Sequence, residues 1–138
     1  GLGVDGSASN DGSDLLEEMR VCYLLHRLQS SEAAPSGYDI LKMATSGSAQ
    51  LLGREQEIGS LETGKCADFF MINKNRIELV GACRDPLSVL CTVGLKGAVD
   101  YTVVNGVVTV ENGRLCAIDE ERLSSDAEKE VSRYLQNL

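Results

Sequence analysis

The chain has 138 residues, 43% apolar and 25% charged, which is enough for one globular domain whose core needs no disulfide or metal staple. Its 13 basic and 21 acidic residues give a net charge of −8, which argues against nucleic acid and anionic membrane surfaces as partners. Aromatic residues are only 4% and Trp is absent, so a base-stacking platform is not expected, and no apolar run approaches the roughly 18 residues of a membrane span.

In chain order, Leu2 and Val4 suggest a short strand, followed by a polar loop of Gly, Ser, Asn and Asp up to Ser13. Asp14 is placed as an N-cap, with Glu17 at the capping-box position three residues on. The helix that follows carries Leu15, Met19, Cys22 and His26 on one face. Leu24, Leu25 and Leu28 add apolar surface elsewhere, so cover on more than one side is expected. Ser30 to Gly37 is a loop. Ser36 caps a second helix with Asp39 at N3, predicted to run through Leu41, Ala44, Ser48 and Leu51 to a stop at Gly53.

Beyond Gly53 the period changes. A strand is predicted from Phe69 to Ile72, a turn at 73–75, and a second short strand from Arg76 to Val80. Asp85-Pro86 opens a short helix carrying Leu87, Leu90 and Cys91. Val99–Val104 and Val107–Val110, joined by Asn105-Gly106, predict a hairpin, and Asn112-Gly113 a further turn before Leu115 and Cys116. The last segment is helical, with Leu123, Ala127, Val131, Tyr134, Leu135 and Leu138 on one stripe. Helices first and hairpins later imply two structural layers, an α/β part followed by a β part.

Cys22, Cys66, Cys83, Cys91 and Cys116 are widely spaced and include no C-x-x-C pair. They are expected to be buried small hydrophobes in a reducing, cytoplasmic setting. No signal peptide or glycosylation sequon is visible. Gly1-x-Gly3-x-x-Gly6 matches a dinucleotide fingerprint in letters only, because the next helix opens too late to meet a pyrophosphate. His26, the one histidine, is expected to pack inward on its helix rather than to ligate a metal. A Ser-His-Asp triad is not supported, since no G-x-S-x-G elbow is present. Asp5 is the candidate with chemical interest. A carboxylate at the end of a short strand, before a small-residue loop, can ligate a metal, move a proton, or simply build an Asx turn.

The run Gly3-Val4-Asp5-Gly6-Ser7-Ala8-Ser9-Asn10-Asp11 resembles the last barrel strand and following loop of the amidohydrolase superfamily. The branch is that of 8-oxoguanine and guanine deaminases and s-triazine hydrolases. The likeness continues through Leu16-Glu17-Glu18-Met19-Arg20, residues 43–53, Ile58 to Asp68, Val103-Val104-Asn105-Gly106 and residues 111–115.

This resemblance implies the C-terminal part of a (β/α)8 barrel, its last strand and helices, with the returning strands of a composite β-sandwich. Residues 1–56 would end the barrel, 57–118 form sandwich strands, and 119–138 a C-terminal helix. It implies a metal-dependent aminohydrolase that cleaves a C–N bond of a cyclic amidine such as 8-oxoguanine or a related purine. The alternatives are an s-triazine-type hydrolase or a non-catalytic module that only folds or associates. Asp5 is expected to bind the metal, a single divalent ion with zinc first in line, and to take a proton from the attacking water. Ser9 is the expected substrate contact. The family's histidine ligands are missing, so the chain is expected to be a fragment that neither holds a metal nor turns over substrate alone. A homo-oligomer is expected in solution. Asp68 and the Asn105-Gly106 pair are expected to be structural.

Overall fold

The computed structural model describes residues 1–29 and 32–136. Ser30 and Ser31 of the predicted loop, and Leu138 of the predicted stripe, therefore lie outside the described residues. The element order is α1 (Leu15–Gln29), α2 (Gly37–Ala44), α3 (Ser46–Leu51), β1 (Phe69–Met71), α4 (Val89–Thr92), β2 (Tyr101–Val104), β3 (Val107–Glu111), β4 (Arg114–Leu115) and α5 (Glu120–Leu135).

The helical part has its core where α1, α2 and α4 meet. Met19, Ile40 and Cys91 are buried there, with Leu2, Leu16, Tyr23, Leu41, Met43 and Leu90 packed around them. Asp14 starts α1 by accepting from the Leu16 and Glu17 amides through Oδ1. Ser36 and Asp39 form the predicted reciprocal box at the start of α2. The N-terminus of α2 then lies against α4 so tightly that a Cβ on Gly37 would sit 2.7 Å from the Ser88 Cα. Arg20 crosses from α1 to α4, where its guanidinium donates to the carbonyls of Cys91 and Thr92.

The single helix predicted from Ser36 to Gly53 is two helices, broken at Thr45 (φ −114°, ψ −95°). The cause is local competition for carbonyls. Thr45 Oγ1 donates to the Leu41 carbonyl at 2.7 Å, and Ser48 Oγ to the Met43 carbonyl at 2.9 Å. Hydroxyl groups that bond back to the preceding turn loosen and bend a helix. The stop at Gly53 (φ +66°) is where the sequence places it.

The β part is one four-stranded antiparallel sheet in the order β1-β2-β3-β4. Asn105 (φ +48°) and Gly106 (φ +78°) make the β2–β3 turn, and Asn112 (φ +52°) and Gly113 (φ +76°) the β3–β4 turn. Both central positions need φ > 0, which Asn-Gly supplies at least cost. The predicted strand at Arg76–Val80 is instead a 3-10 turn at Ile77–Leu79, with Leu79 buried and Ile77 and Val80 exposed. Arg76 donates to the Ala98 carbonyl (2.7 Å) and to Asp100 Oδ2 (3.0 Å), tying the start of the 3-10 turn to the chain that enters β2.

The segment carrying Leu2 and Val4, expected as a strand, pairs with no strand among the described residues. A ladder needs a neighbouring backbone, and here the Leu2 amide donates to Ser48 Oγ (3.3 Å) instead. α5 opens on Asp119, which accepts from the Arg122 amide, and every described residue of its apolar stripe is exposed. No described helix is long and apolar enough to cross a membrane.

Candidate functional site

Asp5 ends the segment that packs Leu2 onto the helical core, and its backbone turns there into the left-handed region (φ +61°). Asp tolerates that region better than most residues because its short side chain can bond locally. It does so here: the Gly6 amide donates to Asp5 Oδ1 at 2.7 Å. Oδ2 has no partner among the described residues, and the carboxylate is exposed. The chain then closes a tight turn, in which the Ser9 amide (2.8 Å) and the Asn10 amide (3.0 Å) both donate to the Gly6 carbonyl.

Ser9 is thus on the same loop as Asp5, four residues along, with an exposed hydroxyl that has no partner among the described residues. Asn10 was not singled out by motif or spacing, yet it is the best-connected side chain of the loop. Its Nδ2 donates to the Val4 carbonyl (2.9 Å) and to Glu18 Oε1 (2.7 Å), and its Oδ1 accepts from the Gly12 amide (3.0 Å). An Asn inside a Gly/Ser loop, followed by an acid on the next helix, was the available signal.

His26 does not pack inward as expected. It is exposed, as is every described residue of α1 beyond Tyr23. α4, one of the two helices packed on α1, is one turn long, and Arg20 already reaches its last carbonyls. His26 lines an open apolar hollow of about 380 Å³ with Leu2, Glu18, Val21, Cys22, Leu25 and Gln29. Two further hollows are lined by residues 113–115 with 118–121 and by Asp14 and residues of α1 with 93–95, and neither includes Asp5 or Ser9.

The cysteines also depart from expectation. All five are free, but only Cys91 is buried; Cys22 and Cys66 are half-buried, and Cys83 and Cys116 are exposed. Cys83 sits in a 3-10 turn and Cys116 follows the short edge strand β4, where nothing among the described residues covers them. Burial pushes the Cys22 and Cys91 thiols up from their ordinary pKa, which keeps them protonated.

No three His, Cys, Asp or Glu side chains converge on one point among the described residues. Asp5 keeps one carboxylate oxygen without a partner among the described residues. A zinc ion needs about three protein ligands or more, and no such set converges among the described residues.

The sequence pattern of the amidohydrolase family matches residues 1–109. A hydroxydechloroatrazine ethylaminohydrolase of Pseudomonas sp. (strain ADP) is 47% identical over 98% of this chain and 28% of its own length. A 5-methylthioadenosine/S-adenosylhomocysteine deaminase of Desulforudis audaxviator is 34% identical over 100% of this chain and 32% of its own. Among solved structures, zinc-complexed atrazine chlorohydrolase TrzN from Arthrobacter aurescens TC1 matches with a TM-score of 0.82 and 39% identity, covering 90% of this chain and 28% of that one. A zinc-bound adenosine deaminase from Xanthomonas campestris matches with a TM-score of 0.83 and 27% identity, covering 94% and 29%. The chain thus spans about 28% to 32% of the length of these relatives. With its sequence matched over residues 1–109 and its fold shared with these enzymes, the chain belongs to the amidohydrolase family.

Proposed function

We propose that this chain is part of a metal-dependent aminohydrolase that cleaves a C–N bond at an amidine carbon of a nitrogen heterocycle, a purine such as 8-oxoguanine. In this reading residues 1–56 complete a (β/α)8 barrel, residues 57–118 contribute strands to a β-sandwich, and residues 119–138 form the C-terminal helix. The observation that carries the proposal is Asp5. Its carboxylate leaves a left-handed backbone position at the end of the segment that carries Leu2 and Val4, with one oxygen held by the Gly6 amide and the other unengaged.

Asp5 would contribute one ligand to a zinc or similar ion and accept the proton of the attacking water. The ion, when bound, supplies Lewis-acid activation of that water near neutral pH. Ser9, exposed on the same loop, would offer its hydroxyl to a ring nitrogen or carbonyl of the substrate. The zinc-bound relatives support the choice of metal.

A second reading, an s-triazine as substrate, is favoured by one observation: the 47% identity to the hydroxydechloroatrazine ethylaminohydrolase. Purines and s-triazines share the C–N carbon that the chemistry attacks, so amine release from 8-oxoguanine, guanine and a hydroxy-s-triazine separates the two readings. A cytoplasmic homo-oligomer belongs to the same proposal. The open edges of β1 and β4 support self-association, which light scattering at micromolar concentrations tests.

In the whole enzyme, Asp5→Asn should keep the fold, judged by circular dichroism, and lose turnover by several orders of magnitude. Near-normal turnover would reject the role of Asp5.

A further inference from the structure

The side chain of Asn10 bonds to three separate pieces of chain, using both of its N–H donors and its carbonyl oxygen. One Nδ2 proton goes to the Val4 carbonyl, the other to Glu18 on α1, and Oδ1 takes the Gly12 amide. Two acceptors on the nitrogen and one donor on the oxygen leave no freedom to flip the amide. Asn10 and Glu18 are both half-buried, so water competes weakly for these contacts.

The Val4 carbonyl is the critical partner. It belongs to the peptide unit that joins Val4 to Asp5, and the rotation of that unit about the N–Cα bond is φ of Asp5. Holding the carbonyl therefore holds Asp5 at φ +61°, a region that costs a non-glycine residue about 1–3 kcal/mol and persists only when its surroundings over-determine it. The direction in which the Asp5 carboxylate leaves the backbone follows from that angle. Glu18 in turn anchors the clamp to the first turns of α1, a helix fixed in the core by Met19.

We propose that Asn10 is a positioning residue that sets the direction of the Asp5 carboxylate, with Glu18 tying the clamp to α1. This inference rests on the reading of Asp5 given above. Asn10 touches neither substrate nor metal in it; it acts through the backbone of Asp5, as outer contacts do for a ligating carboxylate.

The test uses the whole enzyme with amine release from 8-oxoguanine, or from the hydroxy-s-triazine if that is what it turns over. Asn10→Ala should lower kcat by about 10–100-fold with KM close to that of the parent enzyme. In the metal-free protein, deuterium exchange across residues 4–12 should rise about tenfold while exchange across α1 stays unchanged. Glu18→Ala, which removes only one of the three contacts, should act in the same direction, and the double alanine variant should be little worse than Asn10→Ala alone. Glu18→Gln keeps an acceptor oxygen at the same reach and should restore most of kcat. An unchanged kcat in both alanine variants, alongside an inactive Asp5→Asn, would overturn the clamp while leaving the role of Asp5 standing. An active Asp5→Asn would overturn both.

Discussion

The Asn105 amide donates to Asp68 Oδ1 at 2.5 Å, so a carboxylate just before β1 fastens the turn of a hairpin 37 residues further along. Beside it, the Gly106 amide donates to the Ala67 carbonyl at 3.1 Å. The two bonds hold the β2–β3 turn against the chain entering β1 and explain a structural role for Asp68.

Asp68→Ala should therefore lower stability by about 1 kcal/mol, the net worth of one such bond when water can reach the orphaned amide. Asp68→Asn keeps an acceptor and should cost less. Urea unfolding of the pair reads the difference. Two alanine-like midpoints would mean that charge, not the acceptor, matters at this position.

A tighter constraint lies between α2 and α4. A Cβ at Gly37 would meet the Ser88 Cα at 2.7 Å and its Cβ and Oγ at 2.9 Å. The backbone atom cannot be moved aside by changing a rotamer. Gly37→Ala should cost about 1–3 kcal/mol as overpacking, against the up to about 1 kcal/mol that alanine gains inside a helix. A denaturant midpoint that rises in this variant would show that the two helices approach less closely.

Acid should weaken the start of α2. Hydrogen bonds from Lys42 first, then from the Ser36 side chain and backbone, hold the Asp39 carboxyl down at about 2. A carboxylate with a lowered folded pKa stabilises above its ordinary value and loses that contribution as protons bind. The Asp39 contribution should be fully present above about pH 4 and fade between about pH 4 and pH 2. Asp39→Asn should be less stable than the parent at neutral pH and converge with it as the pH falls through about 2, measured by thermal unfolding. A stability gap independent of pH would reject the assignment. Ser36→Ala, which removes the N-cap itself, should cost about 1 kcal/mol at neutral pH.

Local chemistry explains which parts of the fold were legible. Asn105-Gly106 and Asn112-Gly113 need φ > 0 at residues that accept it, and Gly53 ends its helix for the same reason. Ser36 with Asp39 forms its box within four residues. The helix break is local too: Thr45 and Ser48 divide a helix because their hydroxyls compete for carbonyls of the turn before. The other departures have longer reach. Arg76 bonds to Ala98 and Asp100, more than twenty residues away. His26 is exposed because α2 and α4, the helices packed on α1, are short and leave its last turns uncovered, which the apolar spacing of α1 does not reveal.

The candidate site divides in the same way. Asp5, Ser9 and the family motif are visible as letters in a run, since a motif is a property of neighbouring residues. The clamp of Asn10 on Val4 and Glu18 became visible only when α1 folded back beside the loop. The sequence by itself determined the turns, the caps, the small-residue loop after Asp5 and membership of the family, because each depends on bonding within a few residues. The tertiary structure alone decided the loss of a second short strand and the contacts that hold Asp5 at positive φ. Each of those depends on which backbone groups the rest of the fold leaves within hydrogen-bonding reach.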